Sequence, residues 1–188
     1  SYALSIKSYW AGEPRRGMER AWESIRLLGR ASAGHWLGMA HMSLGLNSHL
    51  AGELNAALGA FGAATDVGRA INGSQTQSHS GYCTALVYAD RADWDAALAA
   101  CDAALGIARS PVTQATGSAV MGYLKLGIGQ AEQAASLLAE GIESLERFGF
   151  RSLASRFMSS LAEANLASGD LASARKWADR ALSVASDD

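Results

Sequence analysis

Apolar residues along this chain recur at helical spacing, and no segment shows the strict alternation of a half-buried β-strand. The helical pattern is also repeated. The clearest copies are LAGELNAALGAFGAATDVG from Leu50, RADWDAALAACDAALGIA from Arg91, GQAEQAASLLAEGIESL from Gly129 and LASGDLASARKWADRAL from Leu166, with a weaker copy, AGEPRRGMERAWESIRLL, from Ala11. Similar copies at a fixed period indicate a stack of one small structural unit.

The copies align without gaps on a small residue at a predicted turn, which we call the turn position: Gly12, Gly52, Ala92, Gly129 and Gly169. The steps between these residues are 40, 40, 37 and 40 residues. Three further columns are small in every copy: seven residues before the turn position (Ser5, Gly45, Ala85, Gly122, Ala162), five after it (Gly17, Ala57, Ala97, Ala134, Ala174) and twelve after it (Ser24, Ala64, Ala104, Gly141, Ala181). The last two columns are two helical turns apart, so they share one face, where small side chains let another helix approach closely.

The residue after the turn position is acidic in four copies of five, as a helix N-terminus favours: Glu13, Glu53, Asp93, Gln130 and Asp170. We therefore predict a helix B after each turn, near 13–30, 53–71, 93–109, 130–148 and 170–185, and a helix A before it. Gly, Ser and Pro punctuate the connections at 71–78, 108–113 and 147–151, and Pro14 and Pro111 stand where helices should begin. The result is one all-α domain of about five antiparallel helix pairs, at 1–31, 32–72, 73–109, 110–148 and 149–188.

Composition excludes several classes of protein. Half of the 188 residues are apolar, 18% are charged and the net charge is -2, which argues against disorder and against a general nucleic-acid-binding surface. Two cysteines, Cys83 and Cys101, are too few for a secreted disulfide framework, and no signal peptide opens the chain. We therefore expect a cytoplasmic protein without a membrane segment. Ser1 in place of Met indicates a piece of a larger protein.

The sequence contains no strong catalytic or metal-binding motif. The four histidines, at spacings of 6, 8 and 30 residues, match no metal-ligand pattern: His35, His41, His49 and His79. Cys83 and Cys101 are interpreted as buried, inert thiols, although the two cysteines could be near neighbours. Glu140, Glu143 and Glu146 follow helical spacing and are interpreted as a solvated face. We predict no cofactor, no metal and no enzymatic activity.

The columns together resemble the tetratricopeptide repeat over the whole chain, including a large residue nine positions after the turn position, as at Phe61 and Leu138. The family's standard period is about 34 residues, whereas the units here are longer and mostly lack the usual proline after helix B. Longer units of this kind are similar to those of bacterial maltose-activator-type transcription regulators and ATPase-linked cyclases, as in LAEANLASGDLASARKWADRALSVA. The resemblance implies a right-handed superhelix that serves as a sensor or partner-binding segment.

In the tetratricopeptide family, helix A lines the inner surface at set positions counted from the small column before the turn. Transferred here, those positions give mostly apolar and aromatic residues: Met39, Met42, Leu46, His49, His79, Tyr82, Leu86, Ala89, Thr116, Ala119, Tyr123 and Leu126. Chaperone-binding members instead carry Lys, Arg and Asn at matching places, so that function is disfavoured. We expect an apolar groove in which water reaches Met42, Leu46, Tyr82, Leu86 and Tyr123. The alternative is that a neighbouring helix covers these side chains as core.

Two functions remain open from the sequence. The first is a protein-interaction or ligand-sensing module of a larger bacterial signalling or transcription regulator, which binds a peptide, a helix or a small apolar ligand in the groove. The second is a structural or oligomerisation segment with no ligand of its own. For the second, Trp177 and Leu182 of the last helix have no following unit to cover them, which favours association of the chain through its ends.

Overall fold

The computed structural model describes residues 2–29 and 33–186, and all regular structure in those ranges is α-helical. The helices are α1 (Tyr2–Trp10), α2 (Pro14–Leu28), α3 (Gly34–Leu50), α4 (Leu54–Ala70), α5 (Ser74–Asp90), α6 (Trp94–Ile107), α7 (Pro111–Gly127), α8 (Ala131–Arg147), α9 (Arg151–Ser155), α10 (Met158–Ala167) and α11 (Leu171–Ser186). Pro14 and Pro111 are the first residues of α2 and α7. The predicted end of the first helix B at residue 30 and the unit boundary at 31–32 lie outside the described residues, as do residues 1, 187 and 188.

The helices stack as a solenoid. Each helix packs against the next one along the chain, and the A helices also pack on one another, α1 on α3, α3 on α5 and α5 on α7. The A helices therefore form the inner layer, with the B helices outside it. This arrangement confirms the predicted all-α solenoid of helix pairs.

The turn position has a backbone reason for its small residues. All five residues there adopt the left-handed conformation, with φ between 56° at Ala92 and 87° at Gly169. A side chain is disfavoured at such angles, and glycine is the residue that tolerates them best. The column is therefore fixed by the chain reversal between helices A and B. Ala92 is the one alanine in the column, and it adopts the left-handed conformation despite its Cβ atom.

The other small columns are contacts between helices, as predicted. A Cβ atom added to Gly45 would lie 2.4 Å from the Phe61 ring, and one added to Gly122 would lie 2.8 Å from Leu138 Cγ. The small residue of helix A thus receives the large residue nine positions after the turn in the same unit. The columns are fully or nearly buried in the first four units, whereas Ala162 and Ala181 of the last unit are only half-buried.

The last helix A is broken, so the described chain has eleven helical segments rather than the ten expected from five pairs. Helix α9 ends at Ser155, Arg156 and Phe157 form a turn, and α10 begins at Met158. In this turn the Arg156 guanidinium lies 5.7 Å from the ring centroid of Tyr9 in α1. The first and last units therefore touch across the groove.

The end of the solenoid is more covered than expected. Trp177 is 7% exposed, and the Arg180 guanidinium lies 4.9 Å from the centroid of the Trp177 ring. Arg180 also pairs with Glu146 of α8 at 2.5 Å. The expectation that Trp177 is uncovered is wrong, because its side chain belongs to the apolar core of the preceding helices and a cation on its own helix lies over the ring. Glu146 is held in an ion pair and does not belong to a purely solvated face, whereas Leu182 is exposed as expected.

Candidate ligand-binding groove

The inner layer encloses a cavity of about 210 Å³. Six of the positions transferred to the A helices line it: Met42, Leu46, His79, Tyr82, Leu86 and Thr116. The remaining wall comes largely from the two ends of the solenoid, with Ile6, Tyr9 and Trp10 from α1, and Arg156 and Phe157 from the break between α9 and α10. The cavity therefore depends on the curl of the whole chain rather than on one unit.

The candidate residues differ in how far water reaches them. Tyr82 is 1% exposed and Met42 is 7% exposed, so the expectation that both are open to water is wrong. The reason is a close approach: a Cβ atom on Gly117 of α7 would lie 2.6 Å from the Tyr82 hydroxyl, so the ring extends into the space that this glycine leaves. Leu46 and Leu86 are half-buried. Both alternatives, an open groove and a covered core, therefore apply in part. Tyr82 and Met42 form the buried floor of the cavity, and Leu46 and Leu86 form its accessible wall.

The other candidates lie away from this cavity. His49 lines a neighbouring depression of about 250 Å³ with Leu50 and Asp90, and Tyr9 and Arg156 belong to both spaces. Met39, Tyr123 and Leu126 are half-buried elsewhere along the A helices, and Ala89 and Ala119 are buried. The groove therefore has an apolar interior and a polar mouth.

The mouth holds one histidine–carboxylate contact and one stacked cation. His49 Nε2 lies 2.5 Å from Asp90 Oδ2, which joins the ends of α3 and α5. The Arg156 guanidinium lies over Tyr9 and, among the described residues, forms no ion pair with a carboxylate. Its charge lowers the pKa of Tyr9, but burial is the larger effect and raises that pKa above its ordinary value. Arg156 is thus the cation available at the entrance.

Burial favours the neutral forms of His79 and Cys83, which line the cavity, and of Cys101, which does not line it. Burial lowers the pKa of His79, and its Nε2 atom is buried with no hydrogen-bond partner in the described part of the chain. Burial raises the pKa of the Cys83 thiol to about 11, against a smaller opposing effect of Arg156, and that of the Cys101 thiol to about 12. Both cysteines are free thiols. Thiols with these pKa values are poor nucleophiles at neutral pH.

Residues 2–29 and 33–186 contain neither a candidate metal site nor a helix that could span a membrane. No group of three or more His, Cys, Asp or Glu side chains there could hold a metal ion. None of the described helices combines the length and apolar content that crossing a bilayer requires.

The cavity residues from the first and last units were not among the predicted groove residues. Counted from the small column before the turn, the groove positions are six and three residues before it and one and four after it. The same count in the first unit gives Ile6 and Tyr9, and in the last unit it gives Arg156. The signal was therefore present in the pattern. Phe157 lies off these positions, and only the break after α9 brings it into the groove.

Comparison with known proteins supports the fold and no narrower grouping. No family model matches the chain, and no curated protein matches it. Among solved structures it is similar to the nearly identical TPR-like repeats attributed to a kinesin light chain of Podosopora anserina, at 14% identity and a TM-score of 0.61, over 99% of this chain and 93% of that one. A single-substitution variant of that protein gives 14% identity and a TM-score of 0.62, over 97% and 92%. A double mutant of MamA RS-1 gives 13% identity and a TM-score of 0.56, over 98% and 92%. The chain has a tetratricopeptide-like repeat fold.

Proposed function

We propose that this chain is a binding module whose groove takes an apolar group, either a side chain of a protein partner or a small molecule. The observation that carries the proposal is the cavity between the A helices, with half-buried Leu46 and Leu86 in its wall. Pockets of this kind, mostly apolar with a few convergent polar groups, are the usual form of a ligand site.

The size of the groove favours a small group over a whole helix. A helix with its side chains is about 10–12 Å across, whereas the Arg156 guanidinium lies 5.7 Å from the centroid of the Tyr9 ring. The contact closes the groove at this point. The volume of about 210 Å³ is also below the roughly 300–1,000 Å³ of pockets for drug-sized ligands.

The proposed setting is a larger bacterial signalling or transcription regulator of the cytoplasm. The support is the length of the repeat unit and its resemblance to the repeats of such regulators. In that setting the chain binds and does not catalyse, in keeping with protonated thiols at Cys83 and Cys101. Sequencing of the complete gene tests this setting, because an adjoining ATPase, cyclase or DNA-binding domain is expected, and a free-standing chain contradicts it.

The groove is tested by making its wall polar. Leu46→Gln with Leu86→Gln changes two half-buried side chains and leaves the buried Tyr82 in place. We expect at least about tenfold weaker binding of an apolar fluorescent dye, because two apolar contacts worth about 1.5–3 kcal/mol each are removed. Leu171→Gln, at an exposed position of α11, is the matched control. Unchanged dye affinity in a double variant with native helical content would overturn the proposal.

A second function is favoured by the exposed aromatic residues of the first units. Trp10, Trp22 and Trp36 are 54%, 60% and 50% exposed, and large exposed aromatic side chains are typical of protein contacts. They support the alternative that the chain associates with a second copy of itself. Sedimentation should show a concentration-dependent dimer that Trp22→Arg and Trp36→Arg abolish. A monomer at all concentrations contradicts this function and leaves the groove unaffected.

A further inference from the structure

The cavity differs from a plain apolar pocket in its charge and in its polar wall. We propose that its occupant is a small aromatic carboxylic acid, whose carboxylate binds Arg156 and whose ring carries a hydroxyl group that reaches His79. The inference rests on the proposed binding function and names the ligand of that same groove.

Arg156 is the charged group at the boundary of the cavity. Its guanidinium lies where the apolar cavity meets the polar mouth, since it lines both spaces. The one carboxylate that lines the mouth, Asp90, is already engaged by His49 at 2.5 Å. Arginine binds carboxylates through two parallel hydrogen bonds, which gives both strength and a fixed orientation. A cation left without an acid at the entrance of an apolar cavity therefore favours an anionic head group with an apolar body.

The wall of the cavity is rich in aromatic residues. The chain has 14 Phe, Trp and Tyr residues, all of them described, and four line this one cavity: Tyr9, Trp10, Tyr82 and Phe157. Aromatic rings pack on one another edge to face or offset, and this geometry is worth more than area alone. The volume of about 210 Å³ exceeds that of an apolar cavity of about 150 Å³ that holds benzene. A single ring with a short acid chain, on the order of ten non-hydrogen atoms, is of that size.

His79 contributes a polar ring to the cavity wall. Its Nε2 atom is buried and has no partner within the described residues, although the side chain lines the cavity. A buried polar atom without a hydrogen bond is costly, so a ligand that supplies the bond gains from it. Neutral imidazole can donate or accept at Nε2 according to its tautomer, and a phenolic hydroxyl can answer in either sense. The Tyr82 hydroxyl also has no partner there, but it lies against Gly117 and is not assigned to the ligand.

The proposal is tested by calorimetric titration with three matched probes. These are 4-hydroxyphenylacetate, its methyl ester, which lacks the charge, and phenylacetate, which lacks the hydroxyl. Hydrogen bonds to charged groups contribute roughly 1.5–3 kcal/mol, so the ester should bind about ten- to a hundredfold more weakly than the acid. Phenylacetate should bind about threefold to tenfold more weakly, as expected for one neutral hydrogen bond.

Three variants assign these differences to residues. Arg156→Gln should reduce the affinity for the acid to that for the ester and leave the ester and the apolar dye unchanged. Arg151→Gln, an exposed arginine at the start of α9, is the control and should change nothing. His79→Phe should abolish the preference for the hydroxylated acid over phenylacetate. Arg156→Gln also removes the contact with Tyr9. Circular dichroism therefore has to show that this variant keeps its helical content.

The outcomes separate the ligand class from the proposed function. If acid and ester bind equally, or if Arg156→Gln and Arg151→Gln behave alike, the acid-binding inference is overturned while the groove function stands. If the dye and apolar peptides bind but none of the three probes does, the occupant is a side chain of a protein partner, and the inference is also overturned. If nothing binds, dye included, the proposed function itself is contradicted.

Discussion

The two halves of the solenoid share one repeat pattern but hold their helices together differently. In α5 to α11 the buried side chains form one continuous apolar core, which includes Leu138, Ile142, Leu145 and Leu161. In α1 to α4 the apolar clusters are small, and buried serine and asparagine side chains lie between α1, α2 and α3. Buried hydroxyls also occur in α5 and α7, but there they accompany the larger apolar core. The small columns therefore specify where helices meet, whereas the other buried residues determine how much each contact stabilises the fold.

The buried polar side chains of the first half form a connected network. Ser5 Oγ donates to the Gly17 carbonyl at 2.7 Å and lies 2.5 Å from Ser43 Oγ. Asn47 donates to the Ser43 carbonyl at 2.8 Å and to the Ser5 carbonyl at 3.3 Å. These bonds join α1, α2 and α3. Asn47 Oδ1 is nevertheless buried with no partner in the part of the chain that the structure describes.

The network fixes geometry at a cost in stability. Each intramolecular hydrogen bond contributes about 0.5–1.5 kcal/mol net, whereas an unsatisfied buried acceptor costs about 1–3 kcal/mol. Burying a leucine contributes about 1.5–3 kcal/mol without such a penalty. We therefore expect the first half of the solenoid to unfold more readily than the second. Hydrogen exchange should show lower protection in α1 to α3 than in α7 and α8.

The largest expected effect is the loss of a core side chain from the second half. Leu138→Ala removes a fully buried side chain that packs against Gly122 and should cost roughly 2–5 kcal/mol in the free energy of unfolding. Leu44→Ala removes a buried leucine from a small cluster of the first half and should cost less. Denaturant unfolding measures both, with Leu166→Ala at an exposed site as control. Equal costs at Leu138 and Leu44 would erase the difference between the halves.

The next effect tests the polar network through its tightest contact. A Cβ atom on Gly17 would lie 1.8 Å from Asn47 Oδ1, so Gly17→Ala should cost about 1–3 kcal/mol through overpacking. The double variant with Asn47→Ala frees that space, and the two changes should cost less together than the sum of their separate costs. Thermal unfolding of all four combinations gives the coupling. Simple additivity would show that Asn47 and Gly17 do not meet.

The sequence was sufficient for the helices, the turns and the small columns, because each depends on local spacing. Gly45 and Phe61 illustrate this, since both positions follow from the repeat and both are where one helix meets the next. The polar network was not predicted. Ser5 and Ser43 are small enough for a helix contact in any case, and nothing in their spacing shows that their hydroxyls meet.

The groove was predicted only in part, because its closure is a long-range property. The offsets along helix A single out Leu46 and Leu86, and both line the cavity. They do not reveal that Tyr82 is covered through the gap at Gly117, which depends on one glycine of another unit. Nor do they show that Tyr9 and Arg156, which are 147 residues apart, meet across the groove, since this depends on the curl summed over five units.

A smaller effect compares equivalent turns in the two halves. Gly52 has φ of 77°, and a Cβ atom added there would meet open space, so Gly52→Ala adds only backbone strain and should cost about 1–2 kcal/mol. Ala92 has φ of 56° at the same position of the next unit, and Ala92→Gly should stabilise the chain by up to about 1 kcal/mol. Melting temperatures of the two variants should move in opposite directions. A fall in both would mean that the side chain of Ala92 is needed there.

The smallest expected effect is a pH dependence that differs between two histidines. Burial lowers the pKa of His79 in the cavity and of His41 in the first half below the ordinary value of 6.5. The unfolded chain therefore takes up protons at a higher pH than the folded chain, and stability that is present above about pH 6.5 declines as the pH falls toward the folded pKa. His79 should contribute more, because its Nε2 atom is buried without a partner among the described residues and Arg156 lines the same cavity. The measurement is the fall in melting temperature from pH 7.5 to pH 5, two values on either side of the ordinary histidine pKa of 6.5. It should shrink more in His79→Gln than in His41→Gln, and the opposite order would show that the cavity admits water to His79.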